Sequence, residues 1–221
     1  MLCRDWFPID YPDTWYQEIT SNPRFFSLAA TLSGSIIGLI VAETKELAQL
    51  AKEDRSLLAN CFLSNTKVIF PVWLCDQWLN FSQVGYILSL GVCQSYRKQG
   101  IASLLLDQLI SYLNNNFSNQ VKALYLHVLT TNTQAITFYE HRLEQCSLNW
   151  EVVIHTYNTF RGFQVHSFLP YYYAIKGKRK DGYTHVLYLN GGHPTWGFLD
   201  YVKLAGVTLC SISPHRYVLE W

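Results

Sequence analysis

Six consecutive residues, Arg97-Lys98-Gln99-Gly100-Ile101-Ala102, set two cations and a glycine at the start of an apolar helical pattern. Ile101, Leu104, Leu105, Leu109 and Leu113 recur at the spacing of one helix face. The six residues and Ser103 therefore fall at the helix N-terminus. Backbone N–H groups there lack intrahelical partners, and the helix dipole adds positive character. The chemistry this permits is the holding of an anion. Gly100 would let the backbone approach it, and Arg97 and Lys98 would screen its charge. A plain helix start has the same look, so the pattern alone is not specific.

The elements that must position this turn can be read on either side of it. Val84, Tyr86, Leu88, Leu90 and Val92 alternate in a run apolar enough for a strand buried on both faces. Lys122 to Leu129, KALYLHVL, reads as a second strand, so the spacing implies a parallel strand–helix–strand crossover. Upstream, Asp13 is expected to cap a short helix ending near Ser21. FFSLAATLSGSIIGLIVAET then reads as a hairpin turning at Thr31 to Ser35. Lys45 to Leu63 is charged, and suits a helix or a loop. Downstream, Thr131 or Asn132 caps a helix over TNTQAITFYEHR. Phe168 to Ile175 and Tyr183 to Leu189 read as strands joined by the basic turn KGKRKDG, and Thr195 to Leu209 as an amphipathic helix.

Composition narrows the class. The 221 residues, 49% hydrophobic, suffice for one sizeable domain. A net charge of +1 gives no footprint of a nucleic-acid binder. The six cysteines show no C-x-x-C spacing and read as free intracellular thiols. The start, MLCRDWFP, has no signal-peptide core, and no apolar run reaches membrane-spanning length. The histidines form no metal-ligand pattern, so no metal is expected.

R-x-x-G-x-A behind such a strand resembles the pyrophosphate loop of the GNAT acetyltransferases. DWFPIDYPDTWY, FFSLAA, YILSLGV, YLHVLTTN, AITFYEHR and LPYYYAIKG followed by NGGHP sharpen the resemblance to the NatF-type N-terminal acetyltransferases of that family. The resemblance implies an α+β, three-layer α/β/α fold whose mixed, mostly antiparallel sheet carries one parallel strand pair. It implies acetyl-CoA as co-substrate and transfer to the α-amino group of proteins starting with Met then Lys or a hydrophobic residue. The partners it implies are N-termini of nascent or transmembrane proteins facing the cytosol, with histones as further substrates and a homodimer left open. The place it implies is the cytosolic face of the Golgi membrane.

The resemblance also assigns residues. The loop Arg97, Lys98, Gln99, Gly100, Ile101, Ala102 and Ser103 would cradle the phosphates. The backbone of Leu88, Ser89 and Leu90 would meet the pantetheine arm, with Gly91 suited to a bulge there. Asn132 and the helix end Tyr139, Glu140, His141 and Arg142 would add cofactor contacts. Tyr86 and His127 would serve as bases through water. Asp10, Tyr11, Tyr172 and Tyr173 would close over the peptide, with Tyr171 beside them. Read without the family, Tyr86 fits a core tyrosine and His127 a structural histidine. A basicity argument favours α-amines: about a tenth is neutral at pH 7, against well under a thousandth of lysine side chains. Lysine acetylation and an inactive acetyl-CoA-binding module are the competing readings.

Three departures from the family pattern stand out. The chain begins about where the family's first helix ends, so the first strand is expected to be missing and a sheet edge bare. Residues 63–81 and 143–161 have no counterpart in the family; translated introns or lineage-specific loops would account for them. A single domain over residues 1–209 with these insertions is expected, followed by a short tail, 210–221. The family's membrane-attaching helices lie beyond this point, so a chain without that anchor would be cytoplasmic.

Overall fold

The computed structural model describes residues 12–58, 83–117, 120–141 and 162–190, together with Trp6 and Gly192. The expected helix over 195–209, the tail, both insertions, Asp10, Tyr11 and Arg142 lie outside the described residues.

Helix α1 (Asp13–Ser21) starts directly behind Pro12, which occupies the cap position at φ −67° and ψ 155° with no side-chain capping bond. Asp13 is therefore not the cap. The extended ψ of Pro12 keeps it outside the helix, which starts at Asp13, whose carboxylate meets the dipole in the first turn instead. Strands β1 (Phe25–Leu32) and β2 (Ser35–Glu46) form the expected hairpin. Ser33 and Gly34 turn it with φ of 49° and 79°, the paired positive angles that match strand twist. The charged stretch behind β2 makes two 3-10 turns, Leu47–Gln49 and Lys52–Asp54.

Strand β3 (Gln83–Val92) leads through the basic turn into α2 (Ile101–Asn116), and β4 (Val121–Leu129) follows. Leu105, Leu106, Leu109 and Leu113 form the buried stripe of α2, whereas Leu104 falls outside it, 58% exposed. Asn132 caps α3 (Thr133–Glu140), accepting from the Ala135 amide at 3.2 Å. Strands β5 (Gln164–Ile175) and β6 (Lys178–Tyr188) turn at Lys176-Gly177 alone. Lys178, Arg179 and Lys180 thus belong to strand β6 and not to the turn, because two positive φ values suffice to reverse the chain.

The sheet order is β1-β2-β3-β4-β6-β5, antiparallel except for the expected parallel pair β3–β4. One face buries α2 and α3 against Ile40, Ile87, Leu124, Leu126 and Leu187. The other face packs Leu50, Leu57 and Leu58 of the 3-10 region against Val84, Ala123, Tyr125 and Val186. Among the described residues β1 and β5 form the two outer strands of the sheet. Cys93 is the one cysteine among the described residues, and it is a free thiol.

Candidate active site

Parallel pairing of β3 with β4 runs from Gln83↔Val121 to Tyr86↔Tyr125 and stops there, although both strands continue. Past Tyr86, β3 keeps its ladder with β2 alone, so the two central strands splay. A bulge accompanies the splay: Val41 pairs with Ser89 and Ala42 with Ile87, leaving Leu88 as the extra residue. The bulge is therefore at Leu88 and not at Gly91. It also breaks the alternation read along β3. Val84 and Tyr86 lie on the face of the 3-10 turns, while Leu90 packs with the helix-face core. One inserted residue reverses the side-chain phase of a strand whose period is two. The backbone of Leu88, Ser89 and Leu90 thereby lines the gap between the strands.

The basic turn sits at the end of β3. Arg97 ties it down, its Nε donating to the Val92 carbonyl at 3.0 Å. Lys98 and Gly100 take positive φ, 61° and 82°. A Cβ at Gly100 would meet nothing within 4 Å, so open space faces the backbone there. The helical bond from Leu104 N to Gly100 O, 2.9 Å, closes the first turn of α2. The Ile101 and Ala102 amides precede it at the positive end of the helix. Donor amides, a bare glycine and exposed cations suit a phosphate.

Tyr86 and His127, forty-one residues apart in sequence, meet on the 3-10 face. Tyr86 pairs with Tyr125, and His127 lies two residues further along β4, hence on the same side. The Tyr86 hydroxyl lies 3.1 Å from His127 Nδ1, and the Tyr172 hydroxyl 2.9 Å from the same nitrogen. On the opposite side of the ring, Nε2 is 3.0 Å from Asp54 Oδ1, with both side chains almost wholly buried. The carboxylate can only accept, so it fixes the tautomer with hydrogen on Nε2. Nδ1 then presents its single lone pair to the two phenols, which share it.

Burial pushes the Tyr86 hydroxyl above its usual range, helped by the Tyr172, Tyr173 and Tyr125 phenols and the Asp54 charge. Tyr172 is pushed up to about 12 by burial, then by the Asp54 and Glu53 charges. Both phenols stay protonated at neutral pH and act as donors. Rings support the geometry, with Tyr125 4.8 Å from Tyr86 and Tyr172 4.5 Å from His127, centroid to centroid.

Tyr172 reaches His127 because β5 is irregular between Leu169 and Tyr173. Tyr171 there adopts φ 57°, and its amide donates to Asp181 Oδ1 at 2.8 Å. Tyr171 itself is 66% exposed and away from the cluster, while the Tyr173 ring lies against Gly182. At the far helix end, Tyr139 is buried against Phe138 and Phe163, which makes its ring part of the core. His141 bonds back to the Thr137 carbonyl, and Glu140 lies 3.6 Å from His185. Asn132 spends its side-chain oxygen on its own helix.

Asp54 is the residue that sequence reasoning missed. It lies within KED, in a charged stretch that suits a helix or a loop, and nothing local marks it for burial at 2% exposure. Glu43 and Lys45, beside Tyr86, were missed as well, because only the pairing of β2 with β3 brings them to that ring.

Comparison with known proteins extends this geometry. The profile of the Acetyltransferase (GNAT) family matches residues 2–144. N-alpha-acetyltransferase 60 of Xenopus tropicalis is 48% identical over 213 residues, 96% of this chain and 74% of that protein. Its Danio rerio counterpart is 47% identical over 214 residues, 97% of this chain and 74% of that protein. Among solved structures, Arabidopsis thaliana NAA60 in complex with acetyl-CoA superposes with a TM-score of 0.61 at 23% identity. That likeness covers 86% of this chain and 90% of the plant chain and attests the shared fold.

Proposed function

The chain belongs to the GNAT acetyltransferase family, alongside the N-alpha-acetyltransferase 60 proteins, and from that premise we propose that it moves the acetyl group of acetyl-CoA onto the α-amine of proteins beginning with Met followed by Lys or a hydrophobic residue. The observation that carries the reading is His127 on the splayed strands, with two phenols on Nδ1 and a buried carboxylate on Nε2.

Acetyl-CoA supplies the thioester. Its pyrophosphate fits the turn from Arg97 to Ser103, and its pantetheine arm fits the β3 backbone at Leu88, Ser89 and Leu90. Asn132 and the helix end from Tyr139 to Arg142 complete its surroundings in this reading. The α-amine attacks the thioester carbonyl; the C–N bond forms, the C–S bond breaks, and coenzyme A leaves as the thiolate. The proton lost by the amine passes through the Tyr86 hydroxyl or a water to His127 Nδ1, and Asp54 faces the resulting imidazolium. Because burial raises its pKa, Tyr86 relays as a neutral hydroxyl and not as a phenolate. Asp10, Tyr11, Tyr172 and Tyr173 surround the first residues of the peptide.

The reading takes residues 1–209 as one catalytic domain, working at the cytosolic face of the Golgi. No helix among the described residues is long and apolar enough to cross a membrane; the contact with the Golgi membrane in this reading is peripheral, as in the family resemblance. The test incubates the full chain with acetyl-CoA and a Met-Leu-starting peptide, then locates the added acetyl by mass spectrometry. Acetyl on the α-amine supports the proposal. Transfer confined to a Lys of a peptide with a blocked N-terminus assigns lysine acetylation instead. Thermal stabilisation by acetyl-CoA without any transfer makes the chain a binding module and overturns it.

A further inference from the structure

The β5–β6 hairpin carries four cations in five positions at its end: Lys176, Lys178, Arg179 and Lys180, all exposed. None pairs with a carboxylate among the described residues. The chain's net charge is only +1, so this is a local concentration and not a general basicity.

Register places two of these cations on the face of the candidate active site. His127 pairs with Thr184 on β6, and β6 runs regularly from there towards the turn. With a period of two, Gly182, Lys180 and Lys178 share the face of Thr184, and Arg179 takes the opposite one. The Tyr173 ring confirms the direction: it lies over Gly182, 3.0 Å from where a Cβ would stand, and Tyr173 pairs with Lys180. Tyr172, its edge-on neighbour, bonds His127. A continuous strip therefore leads from His127 through Tyr172 and Tyr173 to Lys180 and Lys178.

The strip is electrically polarised. Asp54 and Glu53 act on Tyr172 at the His127 end, while Lys180 and Lys178 stand four and six residues further along β6, about 13 and 20 Å at the rise of a strand. An extended peptide with its amine at His127 spans those distances with about its fourth to seventh residues. A cationic amine followed by acidic side chains matches both ends of the strip.

We propose that Lys178 and Lys180 select substrates with acidic side chains about four to seven residues downstream of the acetylated amine. The inference rests on the N-terminal acetyltransferase reading and narrows its substrate class. An acidic peptide is favoured over an anionic membrane because the two lysines line up with His127 on one face. A membrane-binding tip would need no such alignment.

The test compares the full chain with a Lys178→Gln/Lys180→Gln variant on two Met-Leu peptides, one bearing Asp and the other Asn at positions four to seven. Two solvent-exposed charge pairs predict a preference of about 3- to 10-fold in kcat/KM for the acidic peptide, carried by KM. The preference should fall towards unity in the variant and in 0.5 M salt, with rates on the Asn peptide and KM for acetyl-CoA unchanged. Fluorescence-anisotropy binding of both peptides in the presence of coenzyme A gives the same comparison without turnover. Acidic preference in binding but no acetyl transfer to either peptide would uphold the tip and fail the transferase reading. Equal kcat/KM for both peptides, or a preference that survives in the variant, would overturn the proposal. So would loss, in the variant, of cosedimentation with phosphatidylserine vesicles while peptide preference is absent from both proteins; that result would assign the tip to a membrane.

Discussion

Lys45 Nζ lies 4.7 Å from the centroid of the Tyr86 ring while standing 2.8 Å from the carboxylate of Glu43. Glu43 is itself buried and is the cross-strand partner of Tyr86, and Arg24 holds its other oxygen at 2.6 Å. A carboxylate between two cations thus parks one of them over the ring of a proposed catalytic residue. Lys45→Met removes the cation but keeps the stem. A cation–π contact of this kind is worth about 0.5–2 kcal/mol, so kcat should fall about 2- to 30-fold. Lys45→Arg should recover most of it. Equal rates for wild type and Lys45→Met in steady-state assays would show that the contact does nothing for transfer.

His127→Ala removes the nitrogen on which both phenols converge. Loss of a general base lowers kcat by about 10²–10⁴-fold. Asp54→Asn keeps an acceptor near Nε2 but removes the charge that would face an imidazolium. A smaller fall in kcat, with peptide KM nearly unchanged, is expected. Full activity of the Asn variant would reduce Asp54 to packing.

Gly100→Ala places a side chain at φ 82° in open space. The left-handed conformation costs about 1–2 kcal/mol for a residue with a Cβ, so thermal stability should drop by several degrees. The added methyl also keeps an anion from the backbone. KM for acetyl-CoA should rise while peptide KM stays level. A stability loss with unchanged acetyl-CoA KM would exclude Gly100 from the phosphate cradle.

His185 is fully buried, and its two ring nitrogens have no hydrogen-bond partner among the described residues. Burial lowers its pKa below the usual 6.5, against a smaller upward pull from Glu140, 3.6 Å away. Around and below pH 6.5 the unfolded chain takes up a proton that the folded chain resists. Stability is therefore present above pH 6.5 and declines on acidification. Urea midpoints at pH 7.5 and 5.5 should converge more in His185→Leu than in wild type. Equal acid sensitivity would place the proton uptake elsewhere.

The strand–turn–helix from Val84 to Asn116 was legible because its signals are local. Apolar periodicity, a glycine and two cations need no information from the rest of the chain. The β1–β2 hairpin and a cap at Thr131 or Asn132 were readable on the same ground, and the structure selects Asn132. The α1 cap was misread by one position, since Pro12 and Asp13 both carry start signals and the extended ψ at the proline decided between them.

What the sequence by itself determined is where most of the described strands and helices lie, which turn has the make-up of an anion site, and the resemblance that pointed to Tyr86 and His127. Tertiary structure alone decided how those residues are arranged. The bulge at Leu88 depends on register with β2, which no pattern within β3 encodes. Tyr172 reaches His127 only because β5 breaks its pairing with β6. Asp54 becomes a buried partner of His127 only when the 3-10 turn folds over the sheet, seventy-three residues away along the chain. Periodicity reports the face a residue shares with its sequence neighbours; contacts across such separations are set by how elements pack, which leaves no local mark.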